Sequence, residues 1–152
     1  MDRVFSRIVV AMSGTESSEA AAVMALRISK VHGAQVMLVN VVDVGLAEEI
    51  ARVMGRPQDQ VLEDMERSGR AILRHGKVLG DHEGVNVSTA LRRGSPYLEI
   101  VDEAESWGAD LIIIGSTHVS GPRPRAIGRV VERVIEHSAC PVLVVRRRAQ
   151  MV

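Results

Sequence analysis

The stretch GSTHVSGPRPRAIGR, from Gly115 to Arg129, holds the densest set of residues suited to chemistry. It follows the apolar run ADLIIIG and precedes the amphipathic run VVERVIEHSA. Glycines between a buried strand and a helix let backbone amides meet an anion, and the helix dipole favours the negative charge. Gly115, Gly121 and Gly128 supply such glycines, with Gly128 at the helix entrance. His118, Arg123, Arg125 and Arg129 add cationic or ionisable side chains that either face solvent and partners or bind phosphate. Arg129 opposes the dipole at the helix start, so a role other than helix stability is expected of it. The spacing fits neither G-x-x-x-x-G-K-[ST] nor G-x-G-x-x-G, so the two familiar phosphate loops are absent.

Other reactive side chains are scattered. Ser13, Thr15 and Ser17 read as helix-start residues rather than nucleophiles, with Ser13 and Glu16 at capping-box spacing and Thr15 as the alternative cap. His32, His75, His82 and His137 fall at helix ends and turns, which argues against a metal site. No Ser-His-Asp or Cys-His set is suggested by local context. The single cysteine, Cys140, lies beside an apolar run and reads as core packing, and one cysteine allows no intramolecular disulfide.

The elements that must position the Gly115–Arg129 stretch alternate along the chain. RIVVAM (residues 7–12), QVMLVNVV (35–42), ADLIIIG (109–115) and CPVLVV (140–145) are apolar runs that predict strands, and VNVSTALRRG (85–94) predicts one by its alternation of Val85, Val87, Thr89 and Leu91. Between them, residues 21–31 predict a helix with Ala21, Met24, Ala25, Ile28 and Val31 inward and Gly33 just past its end. Residues 43–56 read as irregular, with a short helix around Glu48–Val53. A long helix is predicted from Pro57 to about Leu79, burying Leu62, Met65, Gly69, Ile72 and Leu79, with GDHEG as the turn after it. Pro96 opens a helix that turns Tyr97, Ile100, Val101, Ala104 and Trp107 inward, and the last helix runs from about Arg129 to His137.

This β-α alternation predicts an α/β fold: an open five-stranded parallel sheet, order 3-2-1-4-5, with helices on both faces. Ligands in such sheets bind beyond the carboxyl ends of the strands where the winding reverses. That brings MSGTE, after the first strand, against the Gly115–Arg129 stretch. One domain is expected over residues 1–152, ordered over about 5–146, with a tail at 147–152.

Composition narrows the functional classes. Hydrophobic residues make up 46% and aromatic residues 2%, so the core is built from aliphatic side chains. The formal net charge is zero, which counts against a dedicated nucleic-acid binder even if Arg92–Arg93, Arg146–Arg148 and the loop arginines share a face. No apolar run reaches the ~20 residues of a membrane span, and no signal pattern stands at the N-terminus, so a cytoplasmic protein is expected.

Essentially the whole chain resembles the universal stress protein family. The resemblance is carried by RIVVAMSGTESSEAA, LRRGSPYLEIVDEAESWGADLIIIG and GADLIIIGSTHVSG with IGRVVERVIEHSACPVLVVR. It implies a Rossmann-like doubly wound domain of the adenine-nucleotide alpha hydrolase kind that usually dimerises. ATP-binding members carry G-x2-G-x9-G-[ST] in the loop and an acidic residue after the first strand. Here Gly115 and Gly128 match the outer glycines, but His118 stands at the middle glycine, Arg129 at the hydroxyl and Ser13 at the acid. Position 131, often a second hydroxyl, is Val131, while Val41 and Ile114 match the adenine-side wall. The nucleotide pocket so implied comprises Ala11, Ser13, Val41, Ile114, Gly115, His118, Gly121, Gly128, Arg129, Val130 and Val131.

Two readings stand at this point. One is a non-enzymatic stress-response protein whose nucleotide site is degenerate, which needs no cofactor and acts through protein partners not identifiable from the sequence. The other is a switch that binds ATP or another adenine nucleotide, with Mg, through a modified loop. An enzyme is not expected, because no general base or nucleophile has a defined partner. A homodimer is expected through the last strand, Pro141 to Arg146, whose apolar edge invites a second copy.

Overall fold

The runs of β1 (Arg7–Ala11) and β4 (Leu111–Gly115) are apolar at nearly every position and buried on both faces, and they form the centre of one five-stranded parallel sheet. The computed structural model describes residues 4–116 and 127–146. The strands are β1 (Arg7–Ala11), β2 (Gln35–Asp43), β3 (Val87–Gly94), β4 (Leu111–Gly115) and β5 (Val142–Val145). The helices are α1 (Glu16–His32), α2 (Val44–Met54), α3 (Gln58–Glu83), α4 (Pro96–Trp107) and α5 (Arg129–His137). The strand order is β3-β2-β1-β4-β5, as the alternation predicts.

The two faces of the sheet separate by the period-two alternation of strand side chains. Ile8 and Val10 of β1, with Leu111 and Ile113 of β4, face α1 and α3. Val9 and Ala11, with Ile112 and Ile114, face α4 and α5. In-register pairs such as Val9↔Met37 and Val9↔Ile112 hold β1 between its neighbours. Helix α2 joins α3 in a smaller cluster of Ala47, Ala51 and Val61.

Several element details differ from the sequence reading, each for a physical reason. Helix α1 buries Ala21, Ala22, Ala25, Leu26 and Ser29, not the stripe through Met24 and Val31; Val31 is 80% exposed. This helix lies close to the sheet, so most of the buried face is small: Ser17, Ser18, Ala21, Ala22, Ala25 and Ser29, with Leu26 the one large side chain. Residues 44–54 are a full helix rather than irregular chain, because the Asp43 carboxylate caps its start and Gly55, with φ 63°, ends it. Helix α3 continues past Leu79 through GDHEG, and Gly84, with φ 69°, terminates it. Its buried face is Val61, Gly69, Leu73, Gly76 and Gly80, with Leu62, Met65, Ile72 and Leu79 half-buried beside it. A Cβ at Gly80 would meet Val87 Cγ2 at 2.5 Å, so glycine lets this helix press onto β3. Strands β3, β4 and β5 each begin two residues later than the stretches that predict them.

Candidate functional site

At the carboxyl ends of β1, β2 and β4 lies a cavity of about 240 Å³. Its apolar wall includes Ala11, Val39, Val41, Ile114, Val130 and Val131, and its polar wall Ser13, Thr15, Ser17, Ser18, Asn40 and Asp43. The sheet reverses its winding between β1 and β4, so the first turn of α1 and the start of α5 both face this space.

The polar wall is internally organised. Thr15 is the N-cap of α1: its Oγ1 accepts from the Ser18 amide at 3.2 Å. The Ser18 hydroxyl donates back to the Thr15 carbonyl at 2.9 Å. Ser13 Oγ and Ser17 Oγ each lie within hydrogen-bonding reach of Thr15 Oγ1, at 3.1 and 3.4 Å. Between the two capping alternatives Thr15 therefore holds the place, and the Ser13–Glu16 box is not the cap. Asn40 Nδ2 donates to the Met12 carbonyl at 2.7 Å. Asp43 Oδ1 accepts from the Leu46 amide at 3.1 Å, which caps α2.

Gly115 is required by packing. A Cβ there would stand 2.5 Å from the Ser17 carbonyl carbon and 2.7 Å from its oxygen, so β4 and the first turn of α1 touch backbone to side-chain position. The chain leaves β4 at Ser116, which is buried, and Gly128 donates its N–H to the Ser116 carbonyl at 2.8 Å.

The residues expected at the site divide into three groups. Ala11, Ser13, Val41, Ile114, Gly115, Val130 and Val131 come together on the cavity wall. Gly128 and Arg129 are not among the lining residues: Gly128 is the N-cap of α5 with its amide donating to the Ser116 carbonyl, and Arg129 is exposed. His118 and Gly121, with Arg123 and Arg125, lie outside the described residues. Sequence reasoning missed Asn40, Asp43, Thr15 and Ser17 as wall residues. The signal for Asp43 was its position two residues after Val41, directly past the second predicted strand.

Residues 5–146 match the family model for the universal stress protein family. The chain belongs to that family. Among curated universal stress proteins, MJ0531 of Methanocaldococcus jannaschii is 33% identical over 150 residues, covering 96% of this chain and 85% of that protein. The fold agrees with the solved structure of UspA from Lactobacillus plantarum, with a TM-score of 0.81, 24% identity, and coverage of 96% and 100% of the two chains. A universal stress protein in complex with cAMP superposes with a TM-score of 0.67 at 23% identity, covering 93% and 97% of the chains. The universal stress protein from Archaeoglobus fulgidus in complex with dAMP also gives 0.67 at 23%, covering 94% and 99%.

Within this universal stress protein, Arg92 and Arg93, weighed above as part of a shared basic face, are paired with carboxylates. Arg92 bonds Glu99 and Glu103, each at 2.8 Å, and the hydrogen bond to Glu99 foremost holds its guanidinium above the usual value. Arg93 pairs with Glu66. Cys140 is half-buried against the core between α4 and β5, as its neighbours imply. Among the described residues, no three His, Cys, Asp or Glu side chains gather as metal ligands, and no helix is long and apolar enough to cross a membrane.

Proposed function

We propose that this universal stress protein is a non-enzymatic stress-response protein whose cavity holds the nucleoside end of an adenine nucleotide without gripping a triphosphate. It works as a cytoplasmic homodimer, joined through Pro141 to Arg146, and signals through contacts with other proteins.

The observation that carries this reading is the make-up of the cavity wall. Val39, Val41, Ile114 and Val130 offer an apolar slot suited to a purine face, and hydroxyl and carboxylate groups flank it. Its volume of about 240 Å³ lies just below the ~300–1,000 Å³ usual for ligand clefts. At the phosphate end, position 129 is an exposed arginine and position 131 a valine only 2% exposed, so neither supplies a hydroxyl. Relatives of the same fold have been solved with cAMP and with dAMP, both adenine nucleotides with a single phosphate.

Thermal melting with adenosine, AMP and Mg-ATP tests the reading. Ligand at 100 times Kd adds about 2.7 kcal/mol, worth roughly 2–4 °C per kcal/mol for a chain of this size. Adenosine and AMP should raise the melting temperature by several degrees, and Mg-ATP by no more than AMP. A markedly larger shift with Mg-ATP would restore the phosphate-loop switch. No shift with any of the three would leave a site that holds no adenine nucleotide.

A further inference from the structure

We infer that the exposed apolar face of α2 is a contact between two copies of this chain, which pair their α2 helices antiparallel about a two-fold axis near Ile50.

Leu46, Ile50, Val53 and Met54 recur at helical spacing along this 11-residue helix and so share one face. Ala47 and Ala51 pack on Val61 of α3, with Ile50 half-buried beside them. The rest of the stripe stands open among the described residues: Val53 is 75% exposed, Met54 66%, and Leu46 is exposed as well. An open apolar stripe bordered by charge marks an interaction surface.

The charges say which surface fits it. Glu48 and Glu49 lie in the first half of α2 and Arg52 in its last turn, and none of the three has an ion-pair partner among the described residues. By helix geometry Glu49 and Arg52 border the stripe on the side away from Ala47 and Ala51. A two-fold axis perpendicular to the helix reverses a second copy and sets the same side of each stripe together. Leu46 then meets Met54, Ile50 meets Ile50, and each Glu49 comes opposite the Arg52 of the other copy. The antiparallel helix dipoles favour the same arrangement. Such charges fix the choice of mate and the register more than the strength. Helix α1 provides the contrast. It exposes Val23, Met24 and Val31, but Arg27 lies between them, so the same pairing would set Arg27 against Arg27.

This contact is compatible with the edge-strand pairing. Helix α2 lies beside β2 and β3 at one end of the sheet, and β5 is the strand at the other end. One copy can therefore use both faces. A contact between two short helices belongs to the small, weak class of interfaces, so association is expected near roughly 0.1 mM, above the micromolar range expected for β5.

Sedimentation equilibrium of the full chain carrying Leu143→Lys, which blocks the β5 edge, isolates the contact. Between about 10 μM and about 0.5 mM the average mass should rise toward twice its starting value. Adding Val53→Glu, a change at an exposed position, should weaken the association at least about tenfold. Glu49→Arg alone, or Arg52→Glu alone, sets like charges across the two-fold and should weaken it by about threefold or more. An equal mixture of those two variants restores opposite charges at both pairs and should associate as the parent does. A constant mass over the whole range would overturn the proposal and leave the stripe to a different protein. So would a rise in mass that Val53→Glu does not reduce. A mixture that associates no better than either charge variant alone would overturn the antiparallel self-pairing.

Discussion

The side-chain amide of Asn40 donates to the main-chain carbonyl of Met12 at 2.7 Å, tying the end of β2 to the turn that leaves β1. The Met12 amide in turn donates to the Val39 carbonyl at 2.8 Å, so two bonds cross the same gap. Asn40 is only 7% exposed and lies beneath α3, against the Cα of Gly69. One polar side chain thus holds the wall of the cavity in position from within the core.

Removing it should be costly. Asn40→Ala leaves the buried Met12 carbonyl without its side-chain partner, a loss of about 1–3 kcal/mol. Denaturant unfolding should show that loss as a lower midpoint with little change in slope. Asn40→Asp should lose at least as much, because a carboxylate oxygen would face the Met12 carbonyl.

The contact of Gly115 with Ser17 predicts a second cost. Gly115→Ala places a methyl group against backbone atoms that no rotamer change can move. The expected destabilisation is about 1–3 kcal/mol, read as a fall in melting temperature of roughly 2–4 °C per kcal/mol. Gly76→Ala differs in kind, because its Cβ would meet the flexible ends of Leu38 and Met12. Those side chains can shift, and alanine also favours the helix by up to about 1 kcal/mol, so Gly76→Ala should lower the melting temperature less than Gly115→Ala does.

Asp64 gives a pH dependence with a definite sign. The hydrogen bond from Arg56, with help from Arg67, holds its carboxyl below the usual value. A folded-state pKa below the unfolded one stabilises the fold above the unfolded value, about 3.9, and that contribution disappears as pH falls through the folded value. The pair is open to solvent, so the effect on global stability is small. An NMR titration of the Asp64 side chain should show a midpoint below that of an unperturbed aspartate. In Arg56→Ala the midpoint should move up toward it.

The homodimer proposed above turns on the edge strand. Leu143 is 38% exposed in the centre of β5, with one side of the strand paired to β4. Sedimentation velocity at micromolar concentration should give a dimer, and Leu143→Lys should give a monomer by placing a charge on the edge. A monomeric unmodified protein would rule out this assembly.

Much of the architecture was legible because its signals are local. Continuous apolar runs mark β1 and β4, and the bounds of α5 follow directly from Gly128 and the Arg129–His137 periodicity. The strand order followed from the alternation of strands and helices. What escaped was set by distance between elements. The face that α1 buries is decided by how near it comes to β4, and Ala22 and Ser29 are chosen for size rather than hydrophobicity. Likewise Asn40 reads as a polar interruption in β2, and only the approach of α3 through Gly69 explains it. Asp43 was hidden because the segment after β2 reads as irregular until the cap is seen.

The bond from the Gly128 amide to the Ser116 carbonyl has a consequence for how this protein can change over time. Ser116 and Gly128 are held together by this bond, so a change in the sequence between them need not displace β4 or α5. Lengthening a stretch of chain whose flanking residues are already joined costs little, about 0.6 kcal/mol for each doubling. Arginines and prolines can therefore accumulate there as a local edit, with the scaffold and the cavity wall inherited unchanged.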